Sequence, residues 1–268
     1  MDADLPDQAG VSGKEEETLD AILGGRLRII QKKSGYRFSI DALLLAHFVA
    51  LKEGEECIDL GTGSGVVALI LACRRSRGRI LGIDIQEELV AMARRSVELN
   101  GLAGCIEIRR GDLRHPGSLF APASFDVAVF NPPYRRLRSG RTNPDRGKAL
   151  ARHEIAGTAG DFLAAADLAL KPGGRAYAVY PARRMVEMIS RMRATRIEPK
   201  RLRVVHSRLG GRGELLLVEG VKGGREQLTV LTPLFIYGEG SEYSADMAAI
   251  FRDLAAFRAA GDGRSPAS

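Results

Sequence analysis

No apolar run in the chain reaches the roughly 18 residues that a membrane-spanning helix requires. Nor does the N-terminal "MDADLPDQAG" have the basic-then-apolar pattern of a signal peptide, so a cytoplasmic protein without membrane attachment is expected. Cysteine is scarce. Cys57, Cys73 and Cys105 are odd in number and lack metal-ligand spacing, which argues for reduced, buried thiols and against a disulfide framework. The four histidines (His47, His115, His153, His206) are scattered; no metal site is expected, and His47 and His206 read as structural. What is present is ordinary for a globular domain: 45% hydrophobic and 27% charged residues over a length that can bury a sizeable core.

Charge is unevenly placed. The net charge is +7, but residues 134–212 alone carry +13, which leaves the rest of the chain at −6. Such asymmetry suits a polyanionic partner touching one part of the molecule, although a solvated arginine-rich face would look the same.

Strand-like and helix-like stretches alternate. "RLRIIQ" (26–31), "GEECIDL" (54–60), "GRILGIDI" (78–85), "IEIRRGD" (106–112), "FDVAVF" (125–130) and "RAYAVYP" (175–181) read as strands. Helices are expected over 39–51, 66–75, 86–101, 159–174, about 182–196 and 243–260. "RLRVVHSR" (201–208) and "ELLLVEGVK" (214–222) form a hairpin around a glycine-rich turn. The alternation implies a mostly parallel sheet with helices on both faces and a C-terminal antiparallel hairpin. Ligands in such sheets bind beyond the carboxyl ends of the strands, and the notable motifs all fall there.

The first motif is "DLGTGSG", a strand–loop–helix with Asp59, Gly61, Thr62, Gly63 and Gly65. Its glycines let the backbone approach a ligand closely. Val66 stands where the dinucleotide fingerprint has its third glycine, and the Lys-Ser/Thr of a triphosphate loop is missing. Asp59 suits a cationic group such as an amino-acid ammonium. Asp84, followed by Ile85, ends the next strand, where a carboxylate can accept both ribose hydroxyls. Gly111, Asp112 and Leu113 end the third, with Asp112 placed to meet an adenine. A nucleoside bearing an amino acid fits this set, and S-adenosyl-L-methionine is such a molecule.

The second motif is "FNPPY". Pro132 and Pro133 cannot continue the strand and stiffen the turn that follows it. Asn131 then presents a side-chain oxygen, Pro132 a fixed carbonyl, and Tyr134 a ring on which a base can stack. Two acceptors aimed at an exocyclic amine favour a tetrahedral nitrogen and free its lone pair for methylation. The loop that follows, with Arg135, Arg136, Arg138, Arg141 and Arg152, reads as an arm for RNA phosphates.

"DLGTGSG", "GIDIQ", "FNPPY" and "LKPGG" together resemble the class I S-adenosylmethionine-dependent methyltransferases, in the subgroup with an Asn-Pro-Pro-Tyr motif. The likeness covers roughly residues 19–230. "GYRFSIDALLLAHF" (35–48), "ARHEI" (151–155), "EPKRLRVVHSR" (198–208) and "LLLVEGVKGG" (215–224) are similar to bacterial enzymes that methylate N6 of the adenine at position 37 of tRNA(Val). The resemblance implies a Rossmann-like fold with a seven-stranded sheet. It implies that the segment around Tyr36, Phe38, Ser39 and Asp41 closes over the cofactor. It also implies that Asn131, Pro132, Pro133 and Tyr134 hold the target adenine.

The organisation expected is a flexible acidic tail over 1–17, a cofactor-closing segment over 18–53, a methyltransferase domain over 54–240, and a C-terminal helix and tail over 241–268. Three alternatives stay open: methylation of a release-factor glutamine, methylation of a ribosomal RNA or DNA base, and a binding module without catalysis. Oligomeric state is not legible in the chain.

Overall fold

The computed structural model describes residues 16–33, 39–74, 78–133 and 157–256. A β1–β2 hairpin (Glu17–Ile22, Leu27–Lys32) comes first, followed by α1 (Ile40–Phe48). The alternating core is β3 (Cys57–Leu60), α2 (Val66–Cys73), β4 (Ile80–Asp84), α3 (Glu87–Leu99), β5 (Ile106–Arg110) and β6 (Phe125–Phe130). It continues with α4 (Ala159–Ala169), β7 (Leu170–Pro181), α5 (Met185–Ala194) and β8 (Ile197–His206). Strands β9 (Gly213–Lys222), β10 (Thr229–Val230) and β11 (Leu234–Phe235) and helix α6 (Ala245–Ala255) complete the order.

The main sheet runs β10-β8-β9-β7-β6-β3-β4-β5, with β11 also paired to β8. The seven long strands are those expected; β10 and β11 add two residues each along the outer edge of β8. Every strand in the sheet is parallel except β9, which is antiparallel to both β7 and β8.

Alternation along the strands sends side chains to two cores. Val127 and Val129 of β6 face α1, α2, α3 and α6, whereas Ala128 and Phe130 face α4 and α5. Helix α2 is buried from Val66 to Ala72 because it lies beneath α1 on the first face. Arg74, at the end of α2, donates to the Ala46, His47 and Val49 carbonyls at the end of α1. The two helices are therefore side by side and parallel, and α1 begins at the carboxyl ends of the strands.

Three expectations shift. The helix over 159–174 stops at Ala169, because a residue before proline is disfavoured in helical geometry, and Lys171 precedes Pro172. Strand β7 thus begins at Leu170 and bulges against β6 before Arg175. Strand β1 falls partly in the expected tail and was not foreseen. It pairs with β2 across the Leu23–Arg26 turn, where Gly24 and Gly25 have φ of +68° and +84°. The hairpin is fastened to α3: Asn100 exchanges hydrogen bonds with the Arg28 backbone, Ser96 Oγ accepts from Ile30 N–H, and Lys32 pairs with Glu88. Among the described residues no helix is long and apolar enough to cross a membrane.

Candidate active site

At the end of β3 the chain turns sharply into α2. Gly61, Gly63 and Gly65 have φ of +72°, +58° and +83°, conformations that side chains rarely adopt. A Cβ on Gly61 would sit 2.7 Å from the Phe162 ring of α4. The turn is pinned to the neighbouring strand by Gly61 N–H and Thr62 N–H, which donate to the Ile83 carbonyl at 2.8 and 2.9 Å. Gly82, within β4, makes room for it: a Cβ there would meet Thr62 Oγ1 at 3.0 Å and Ile108 at 2.6 Å. Sequence reading passed over this glycine, although an isolated glycine inside a strand signals close approach.

Two buried carboxylates flank the turn. Asp84 Oδ2 accepts from Gly63 N–H at 3.0 Å and Oδ1 accepts from Gln86 N–H at 2.9 Å. A carboxylate has about four lone-pair sites, so Asp84 keeps acceptor capacity for a vicinal diol. Asp59 is 2% exposed and accepts from Thr62 Oγ1 at 2.6 Å. Burial pushes its pKa up to about 7, against the opposing Thr62 hydrogen bond, and nearby Asp84 pushes the same way. Burial raises Asp84 as well. Two carboxylates that resist ionisation side by side form an environment that a cationic ligand group relieves. Ser64 Oγ, buried in the same loop, has no hydrogen-bond partner among the described residues. Loop, diol acceptor and cation acceptor together fit an amino-acid-bearing nucleoside.

Asn131 lies next to this loop. Register pairs Leu60 with Phe130, so Gly61 and Asn131 are the first residues past two adjacent strands, about 4.8 Å apart. Asn131 Oδ1 is buried and has no hydrogen-bond partner among the described residues. Leaving such an acceptor unmade costs about 1–3 kcal/mol. Pro132 is buried and Pro133 half-buried, so the turn is held as well as stiff.

The other expected residues divide. Ser39 caps α1 with its backbone only, and Asp41 lies in the first turn, both at the carboxyl end of the sheet. Gly111 N–H donates to the Asp84 carbonyl at 2.9 Å, and Leu113 is buried beside it. Ile85, directly after β4, is half-buried. Asp112 is already engaged: Arg114 holds it at 2.5–3.0 Å and draws its pKa down to about 2. An adenine there would have to share the carboxylate with Arg114. Tyr36, Phe38, Tyr134, Arg135, Arg136, Arg138, Arg141 and Arg152 lie outside the described residues.

Comparison with known proteins agrees with this geometry. Residues 38–195 match the family model described as methyltransferase small domain. A Porphyromonas gingivalis protein named tRNA1(Val) (adenine(37)-N6)-methyltransferase is 30% identical over 190 residues, 69% of this chain and 71% of that one. A protein of the same name from Shewanella sp. is 26% identical over 224 residues, 82% and 92% of the two chains. One from Aeromonas salmonicida is 34% identical over 142 residues, but this spans only 58% of that relative. In fold, the chain is similar to a crystal structure described as a predicted O-methyltransferase from Agrobacterium tumefaciens. The TM-score is 0.65 at 24% identity, covering 79% of this chain and 95% of that one. Glycine turn, carboxylate pair and Asn-Pro-Pro turn thus occur together within a matched span that is more than half of the sequence, and the chain belongs to the methyltransferase small domain family.

Proposed function

We propose that the protein transfers a methyl group from S-adenosyl-L-methionine to the exocyclic amine of an unpaired adenine in tRNA; its relatives are named for methylation of N6 of adenine 37 of tRNA1(Val). The observation that carries this reading is the buried, unpartnered Asn131 Oδ1 beside the glycine turn. Bound against the turn, S-adenosyl-L-methionine supplies an electrophilic methyl group. Asp84 would accept its ribose hydroxyls, Asp59 would balance its ammonium, and the Gly61–Gly65 turn would let it approach the backbone closely. Tyr36, Phe38, Ser39 and Asp41 belong, on this reading, to the segment that covers it.

Asn131 Oδ1 and the Pro132 carbonyl accept the two N–H bonds of the target amine. That arrangement favours a tetrahedral nitrogen, withdraws its lone pair from the ring, and meets the developing positive charge with oxygens already in place. Tyr134, next along the chain, offers a stacking face worth about 1–3 kcal/mol. The base must leave its loop to reach this position, at a lower cost for an unpaired base than for a paired one. The five arginines at 135, 136, 138, 141 and 152 are assigned to RNA phosphates.

The test is methyl transfer from labelled S-adenosyl-L-methionine to bulk tRNA, ribosomal RNA and release factor, with the labelled product digested. Label recovered as N6-methyladenosine from tRNA is expected. Asn131→Ala should lower turnover by about 10²–10³-fold while cofactor affinity changes little. Label in a glutamine or in ribosomal RNA, or near-normal turnover by the variant, would overturn the reading.

A further inference from the structure

Parallel pairing fixes which end of the sheet each turn occupies. Strands β6, β7 and β8 run the same way, so the Ala182–Arg184 turn after β7 and the β8–β9 tip at 207–212 both lie at the end where Asn131 lies. The tip stands two to three strands from β6, about 10–14 Å across the sheet. The foot of β9, just past the tip, lies against the Ala182–Arg184 turn: a Cβ on Gly213 would sit 3.5 Å from Ala182 Cβ.

The tip is firmly held. His206 Nδ1 lies 2.9 Å from the Gly211 carbonyl. Arg208 donates to the Gly238 and Gly240 carbonyls, and its guanidinium lies 5.3 Å from the Tyr237 ring centre. Yet this fixed tip presents Leu209 with 83% of its surface exposed, and the first turn of α5, which follows the Ala182–Arg184 turn, presents Val186 at 80%.

Most basic side chains between Arg183 and Arg196 are already matched. Arg184 and Arg191 share Glu187, Arg193 pairs with Glu198 and Glu226, and Arg196 pairs with Asp167. Arg183 and Arg212 differ in having no carboxylate partner among the described residues. Glu214, exposed at the foot of β9, offsets one charge, and the adjoining Tyr237–Tyr243 stack carries the exposed Glu239 and Glu242. The cationic surface therefore ends at Arg208.

Unmatched cations beside bare aliphatic side chains suit a polyanion that also exposes apolar faces. A duplex hides its base faces; an unstacked RNA strand offers both phosphates and bases. We infer that Arg183 and Arg212 hold phosphates of the RNA strand flanking the target base, while Leu209, on the rigid tip, packs against a base or ribose of that strand. The placement suits a wedge beside a displaced base, a role in which leucine serves other nucleic-acid-binding proteins. The inference rests on the RNA-directed reading above and adds a contact surface separate from the arginines that follow Tyr134.

The test uses the full-length wild type, the double variants Arg183→Glu/Arg212→Glu and Arg183→Lys/Arg212→Lys, and Leu209→Ala. Methyl-transfer kinetics on tRNA, tRNA binding against salt concentration, and calorimetric binding of S-adenosyl-L-methionine are measured. The charge reversal should raise KM for tRNA about tenfold or more and flatten the log–log salt slope by about 2, with cofactor affinity unchanged. The lysine pair should restore KM, and Leu209→Ala should raise KM without altering the salt slope. If wild type methylates tRNA but the charge reversal leaves KM and slope unchanged, this surface is wrong and the proposed activity stands. If wild type methylates only a protein substrate, both fail, and a KM effect there would assign the surface to that protein.

Discussion

Asp59 sets burial against charge. Its folded pKa, about 7, is well above the ordinary 3.8. Between those values the folded chain binds the proton that the unfolded chain has lost, so this residue's contribution to stability falls as pH rises through that window and stays low above it. The shift bounds the effect at roughly 4 kcal/mol. Asp59→Asn should therefore raise the melting temperature more at pH 8 than at pH 5 while weakening cofactor binding. Calorimetric unfolding at the two pH values checks the first part, and an equal gain at both would refute it. Cofactor binding near pH 6.5 should also release a proton, read as a buffer-dependent binding enthalpy. The position of Asp59 was legible from its distance to the glycines; its protonation was not, because burial depends on α2 and β4 packing around it. Asn131 is similar: the prolines announced the turn, but only folding leaves its oxygen without a partner. The Asp112 contact with Arg114, two residues away, was open to reading as a local pair and was read instead as a ligand contact.

Among elements, the β3–α2 turn is where sequence and geometry agree most closely, and Gly61 measures why. Gly61→Ala combines a left-handed backbone with a clash against Phe162, an expected loss of about 2–4 kcal/mol. Gly101 has a similar φ of +68° with nothing within 4 Å of a Cβ, so Gly101→Ala should cost only the backbone part, about 1–2 kcal/mol. Chemical denaturation of both variants separates the terms, and equal losses would show that the Phe162 contact is relieved cheaply. The parallel core was readable because its strands are short apolar runs bounded by glycine, proline or aspartate. The β1–β2 hairpin was missed although Gly24-Gly25 between two apolar stretches is a turn signal. Its strand β1 buries no side chain fully and inverts the usual pattern, with Leu19 and Ala21 exposed and Thr18 and Asp20 half-buried. The Ala169–Leu170 boundary was misplaced because an alanine-rich helix runs without a polar break into a strand, and the effect of Pro172 reaches back along the chain.

At the scale of the whole molecule, the concentration of positive charge in 134–212 was legible, but its use was not. Around α5, folding neutralises Arg184, Arg191, Arg193 and Arg196 through Glu187, Glu198, Glu226 and Asp167, three of which lie outside that helix. Among the described residues, the positive charge between Arg183 and Arg196 is thus largely matched, and Arg183 is left without a carboxylate partner. The topology also orders events in time. Strand β9 is the last long strand to be made, yet it lies between β7 and β8. About 40 residues separate the end of β7 from the end of β9, so at roughly 5–20 residues per second a ribosome needs some 2–8 s to supply the missing strand. Until then β7 presents an unpaired edge carrying Tyr177 and Val179, and β8 has no long partner. A chain truncated after Arg212 should accordingly be cleaved by protease within β7 and bind chaperones, whereas one extended past Lys222 should resist; equal resistance of the two truncated chains would refute this. The interval between the emergence of β7 and that of β9 is therefore when synthesis of this protein is most exposed to aggregation.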